Sequence, residues 1–154
     1  MNKLKYSSLL LAFVSTLFIG LTACSDDDDD NQEVNFKKPV VTLTEVGHAN
    51  SGVAHPGSDM HLEANVVAEA GIKRIDVEIH QEGKGSFEIE KSYTEGKYIG
   101  VRNIEFHEHI DIPETAPLGE YHLHFTVTDN LGQQTTAEKH VEVAEGGNDD
   151  DDDD

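Results

Sequence analysis

Residues 121–127 read Tyr121-His122-Leu123-His124-Phe125-Thr126-Val127, a strict alternation of large apolar and polar side chains. A pleated strand turns successive side chains to opposite faces. Tyr121, Leu123, Phe125 and Val127 therefore point to a core, and His122, His124 and Thr126 point outward. The chain continues Thr128-Asp129-Asn130-Leu131-Gly132-Gln133, which suits a three-residue hairpin loop with Gly132 in the left-handed conformation. That loop pairs Asp129 with Gln133. By extension it pairs Phe125 with Ala137, Leu123 with Lys139 and Tyr121 with Val141. Two of these inward pairs are apolar, and Lys139 can lay its stem along the core edge. A two-residue loop would instead set Val141 opposite Glu120, facing water, so the three-residue register is preferred.

Working outward, the same period-two signal recurs between turn residues, with no helical periodicity of any length and no internal repeat. It predicts strands over Val40–Val46, Met60–Val67, Ile72–His80, Phe87–Thr94, Ile104–Ile112, Gly119–Thr128 and Gln133–Val143. About seven strands at this spacing predict an all-β, immunoglobulin-like β-sandwich over residues 38–145, the size of one small domain. The run Pro117-Leu118-Gly119-Glu120-Tyr121 through Asp129 and Gly132 resembles the final hairpin of bacterial immunoglobulin-like domains. More narrowly, Gly47-His48, His61-Leu62-Glu63-Ala64, Phe106-His107-Glu108-His109-Ile110-Asp111-Ile112-Pro113 and Tyr121-His122-Leu123-His124-Phe125 resemble an uncharacterised Bacteroidetes lipoprotein family, the domain of unknown function 4625. That resemblance implies the fold and a cell-surface setting, and brings no activity with it.

The N-terminal segment has the parts of an export signal. Lys3 and Lys5 precede an apolar run from Leu9 to Leu21 that is short for a membrane span. Leu21-Thr22-Ala23-Cys24 then resembles a bacterial lipobox, which implies cleavage after residue 23 and lipidation of Cys24. An ordinary signal peptide or a short anchor helix is the alternative. Cys24 is the only cysteine, so no intrachain disulfide staples the fold. Asp26 to Asp30 form a solvated acidic tether within residues 24–37. They resemble the surface-export signal of Bacteroidetes lipoproteins, which implies an outer-membrane anchor with the domain facing the medium; a plain spacer is the alternative. Asp149 to Asp154 end a second acidic segment, residues 146–154, expected to be disordered. The whole chain has a formal charge of −20, and residues 1–23 carry two lysines and no acid, so the processed chain stands at −22. Such a field repels phosphate backbones, which excludes nucleic acid as a partner.

All nine histidines fall after the signal. On a strand, residues i and i+2 share a face about 7 Å apart, and two imidazoles so placed can converge on one ion. This H-x-H spacing occurs in His107-Glu108-His109 and in His122-Leu123-His124. The hairpin register sets His122 opposite His140 and His124 opposite Glu138, with Cβ atoms about 4.5–5.5 Å apart. In an immunoglobulin-like sandwich the third strand borders the sixth, bringing Asp76, Glu78 and His80 onto the same outer face. His80, His122, His124, His140 and Glu138 thus form one candidate metal site. The second and fifth strands also pair in such folds, which directs His61 toward His107 and His109 as a second candidate. There, strict alternation would point Glu108 inward, so either a bulge sits at that point or the register differs.

Three imidazoles with a carboxylate or water suit zinc, with copper(II) or nickel(II) as alternatives. A copper(I) site rich in methionine is not expected, since Met60 is the only methionine after processing. The competing account is bland: outward strand positions need polar residues, and acidic neighbours hold imidazolium by ordinary charge pairing. No HExxH, G-x-S-x-G or P-loop motif is present. An open sheet face also lacks the cleft that hydrolysis needs, so a non-enzymatic protein is expected. The leading expectation is metal capture, or delivery to an outer-membrane uptake partner. The alternatives are a module engaging a protein or glycan, and a histidine-based pH sensor. Absence of tryptophan weighs against a glycan platform. Replacing Cys24→Ser should move the protein from the membrane fraction to the soluble fraction and remove any acyl mass. A variant that stays membrane-bound at the wild-type level would overturn the lipid anchor.

Overall fold

The computed structural model describes residues 35–83 and 85–146. Cys24, the signal segment, the acidic run Asp26 to Asp30 and Asp149 to Asp154 lie outside them. Eight strands occur among the described residues: β1 (Val40–Val46), β2 (Val53–Ala54), β3 (Asp59–Val67), β4 (Ile72–Gln81), β5 (Glu88–Tyr93), β6 (Asn103–Asp111), β7 (Gly119–Asp129) and β8 (Gln134–Val143). They form a three-stranded sheet, β1-β3-β6, and a five-stranded sheet, β2-β8-β7-β4-β5. Only β2 runs parallel to its neighbour. This is the expected immunoglobulin-like sandwich with one short extra strand. Two residues are too few to show a period, which is why β2 has no signature in the sequence.

The hairpin register is the one the turn chemistry dictates. Phe125 faces Ala137, Leu123 faces Lys139, Tyr121 faces Val141 and His122 faces His140. Gly132 sits at φ +79°, in the left-handed region. The Asp129 side chain is fully buried. Its Oδ1 accepts the backbone N–H of Leu131 at 2.9 Å and of Gln133 at 2.8 Å. A buried carboxylate needs such donors, and they hold the loop at three residues. Lys139 reaches past the core edge to donate to the Asn50 Oδ1 at 3.1 Å.

Inward residues of both sheets meet in one core. Phe106 packs edge-on against Phe125, ring centroids 4.9 Å apart, and Leu62, Ile79 and Leu123 are fully enclosed. The buried Tyr121 donates its hydroxyl to the Pro117 carbonyl at 2.8 Å, the tyrosine-corner bond of immunoglobulin-like sandwiches.

Register shifts in β1 and at the start of β4, between Ile72 and Arg74, and a polar residue at Glu108 adjust the alternation. A bulge in β1 between Leu43 and Glu45 shifts its phase against β3, setting Glu45 opposite Glu63 and Val46 opposite Leu62. Val46 is therefore buried and Glu45 lies on the outer face. No bulge occurs at Glu108, where β3 and β6 pair without a register shift. Glu108 does turn to the inner face, at the rim, where it accepts the Tyr98 hydroxyl at 2.8 Å and lies 3.1 Å from the Lys97 ammonium. Burial pushes its pKa up, but the bonds from Tyr98 and Lys97 outweigh that and hold it below the usual carboxylate range.

His124 turns outward as the alternation requires, yet it is half-buried rather than exposed, because its ring stacks on His80 with centroids 4.9 Å apart. Without metal, Leu123→Ala should cost about 2–5 kcal/mol, and His124→Ala less than about 1 kcal/mol. Denaturant titration in the presence of a chelator measures both. Equal losses at the two positions would contradict the inward and outward phases of β7.

Candidate metal centres

Two groups of potential ligands converge among the described residues, one on the outer face of each sheet. On the five-stranded sheet, β4, β7 and β8 lie side by side, with His80 opposite His122 and His122 opposite His140. The ligand atoms that converge there belong to His122, His140 and Glu82. Glu82 Oε1 lies 2.8 Å from His122 Nε2 and 3.0 Å from His140 Nδ1. That oxygen is shielded from solvent, and neither contact has hydrogen-bond geometry. Three ligand atoms thus face one small volume. Tetrahedral zinc bonds, at about 2.0–2.1 Å, would spread them to roughly 3.3 Å apart.

The other residues expected in this site flank it. His80 stacks on His124 and lies 3.0 Å from Glu78 through Nδ1. Glu138 lies 3.3 Å from His124 Nδ1 and stands outside the converging group, whose carboxylate is Glu82. Asp76 is engaged elsewhere, accepting from Arg74 Nε at 2.7 Å. The strand expected from the sequence ends at His80, which leaves Glu82 outside it. β4 runs on to Gln81, and the Glu82 N–H still bonds the Glu120 carbonyl at 2.8 Å. Extending the even-numbered phase of Glu78 and His80 by one more step would have found it.

On the three-stranded sheet the group is His61, His107 and His109. His61 lies opposite His109 in register, and Glu63 lies opposite His107. The Nε2 atoms of His61 and His107 are 2.9 Å apart, and the His61 and His109 rings stack with centroids 5.0 Å apart. A carboxylate stands behind each ring. Glu45 is 3.4 Å from His61 Nδ1, Glu63 is 3.6 Å from His107 Nδ1, and Asp59 is 2.9 Å from His109 Nδ1. A carboxylate at Nδ1 favours the proton there and leaves a lone pair on Nε2. Two such lone pairs 2.9 Å apart repel unless a proton or a cation lies between them. His61 has a carboxylate at both nitrogens, since Glu63 also approaches its Nε2 at 3.5 Å, so that atom can either donate a proton to His107 or turn toward a cation.

Beside this group is a cavity of about 570 Å³ whose wall includes His48, His55, Asp59, His61 and His109. His48 and His55 lie in the connection before β3, where no strand phase fixes a direction, so the sequence alone could not join them to His61.

Among solved structures, wild-type OgpA from Akkermansia muciniphila aligns over 68% of this chain and 28% of its own, with 15% identity and a TM-score of 0.50. At that identity the similarity concerns the fold alone, and this chain spans little more than a quarter of OgpA. A Niemann-Pick type C2 protein from Japanese carpenter ant aligns over 72% of this chain and 96% of its own, with 8% identity and a TM-score of 0.45. No curated protein matches the sequence. The family model of a domain of unknown function, DUF4625, matches residues 22–144, and the chain belongs to that family.

Proposed function

We propose that this protein is a lipid-anchored, non-enzymatic protein of the outer membrane, facing the medium, that captures zinc through outward-facing strand histidines. Copper(II) and nickel(II) are the alternative cargoes, and an outer-membrane uptake partner is the recipient. The observation that carries the reading is the convergence of His61, His107 and His109 with a carboxylate at the back of each ring. Carboxylates so placed orient metal-binding imidazoles. Charge pairing alone accounts for a histidine beside a glutamate. A single proton shared between the His61 and His107 Nε2 atoms closes their 2.9 Å contact in the metal-free protein, and a cation taken up by all three imidazoles would replace it.

The second group offers two imidazoles and Glu82. Its carboxylate offsets half of a divalent charge, whereas the three-imidazole group offsets none. The two centres therefore differ in affinity and in the anion each leaves room for. The lipid anchor rests on Leu21-Thr22-Ala23-Cys24, and the outward orientation on the aspartates that follow.

The test is thermal unfolding of the processed chain carrying Cys24→Ser, with and without zinc at neutral pH. Binding should stabilise the fold by mass action, by about 2.7 kcal/mol per site once free metal reaches a hundred times the dissociation constant. His107→Ala and His140→Ala should each remove one site's share, and the double variant should remove nearly all of it. The imidazoles must be neutral to bind, so acidification should weaken the zinc effect. A wild-type chain with no zinc-dependent shift would sink the proposal. A shift that survives in the double variant would assign the metal to the acidic runs instead.

A further inference from the structure

The connection between β1 and β3 folds over one end of the three-stranded sheet and makes the cavity beside His61 and His109. Its walls are tied by backbone bonds. The Gly47 N–H donates to the His61 carbonyl at 2.8 Å, and Gly57 and Ser58 exchange bonds of 2.8 Å with Ile112. Gly47 sits at φ +72°, and a Cβ there would fall 2.6 Å from the Val53 carbonyl oxygen, so the connection is built around a glycine. A space of about 570 Å³ is within the range of small-molecule sites.

His55 gives this space a defined polarity. Its Nδ1 is 3.0 Å from the Ala144 carbonyl oxygen, which can only accept, so Nδ1 carries the proton and Nε2 is left as an acceptor. An acceptor in the wall pairs with an O–H or N–H of whatever enters. At the other end, a divalent ion on three neutral imidazoles keeps its full charge and an open position, which an anionic oxygen fills best. Asp59, in the same wall, and the strongly negative chain repel a free anion, so anion entry depends on the metal.

Resting on the metal reading above, we infer that this cavity holds a small α-hydroxy carboxylate as a ternary complex. The carboxylate oxygen binds the ion at His61, His107 and His109, and the hydroxyl donates to His55 Nε2. The metal is then held with a small hydroxy acid that bridges the ion and the cavity wall, and the cavity selects that acid.

Cobalt(II) tests this directly, because its visible absorption bands report the ligands around it. The probe is glycolate, with acetate as the control that lacks the hydroxyl, and the protein is the processed chain with Cys24→Ser and His140→Ala. Glycolate should shift the cobalt bands, bind more tightly than acetate, and fail to bind the metal-free protein in calorimetry. His55→Asn keeps a donor for the Ala144 carbonyl and removes the Nε2 acceptor. It should load cobalt normally while weakening glycolate about five- to tenfold, as loss of one hydrogen bond would. Unchanged bands in the loaded protein, bands lost because glycolate strips the cobalt, or equal glycolate affinity in His55→Asn would each overturn the ternary complex while leaving the metal site standing. Failure of cobalt to load at all, with His107→Ala behaving like its parent, would overturn both.

Discussion

The meeting of β7 with β8 on the five-stranded face depends on how the buried carboxylate of Asp129 holds the turn between them. Its bonds to the N–H groups of Leu131 and Gln133 fix the loop length, and Gly132 supplies the left-handed residue that closes it. Because side chains alternate with a period of two, a slip of one residue would move β8 to its other face. His140 would then turn toward the core, and the apolar Val141 and Val143 would turn to water. The same constraint therefore fixes both the packing and the chemistry. His122 and His140 come together because Tyr121 and Val141 must.

The β3–β6 pairing plays the corresponding part on the other sheet. Phe106 and Ile110 are buried on one face, which leaves His107 and His109 on the other beside His61. Here the pairing tolerates one polar residue on the inner face, Glu108, because the strand lies at the sheet edge and Tyr98 and Lys97 reach it there. The cost of burying that carboxylate is offset by two charge-assisted contacts, with no need for a bulge.

Most of the fold could be read from the residues, since strands such as Met60–Val67 and Gly119–Thr128 alternate clearly and the turn sequence Asp129-Asn130-Leu131-Gly132 states its own geometry. The gathering of His122 with His140, and of His61 with His107 and His109, follows from the same alternation. What escaped depends on departures from it. The bulge in β1 puts Glu45 behind His61, and its one cue is a change of parity in the apolar residues, from Val41 and Leu43 to Val46, which strict alternation passes over. Glu82 lies beyond the strand end expected at His80, whereas β4 runs on to Gln81. His55 reaches the cavity through a connection whose path is set by tertiary hydrogen bonds, and local sequence cannot supply those.

β6 closes one side of its sheet, and its outward positions hold two of the three imidazoles. An edge strand is bonded along one side only and is among the first segments to fray, which exposes amides to exchange and backbone to proteases. An ion shared by His61, His107 and His109 would bridge β6 to the interior strand β3. No disulfide can do this in a chain with a single cysteine. The lifetime of the domain among proteases would then depend on metal supply, and an empty molecule would be cleared sooner than a loaded one.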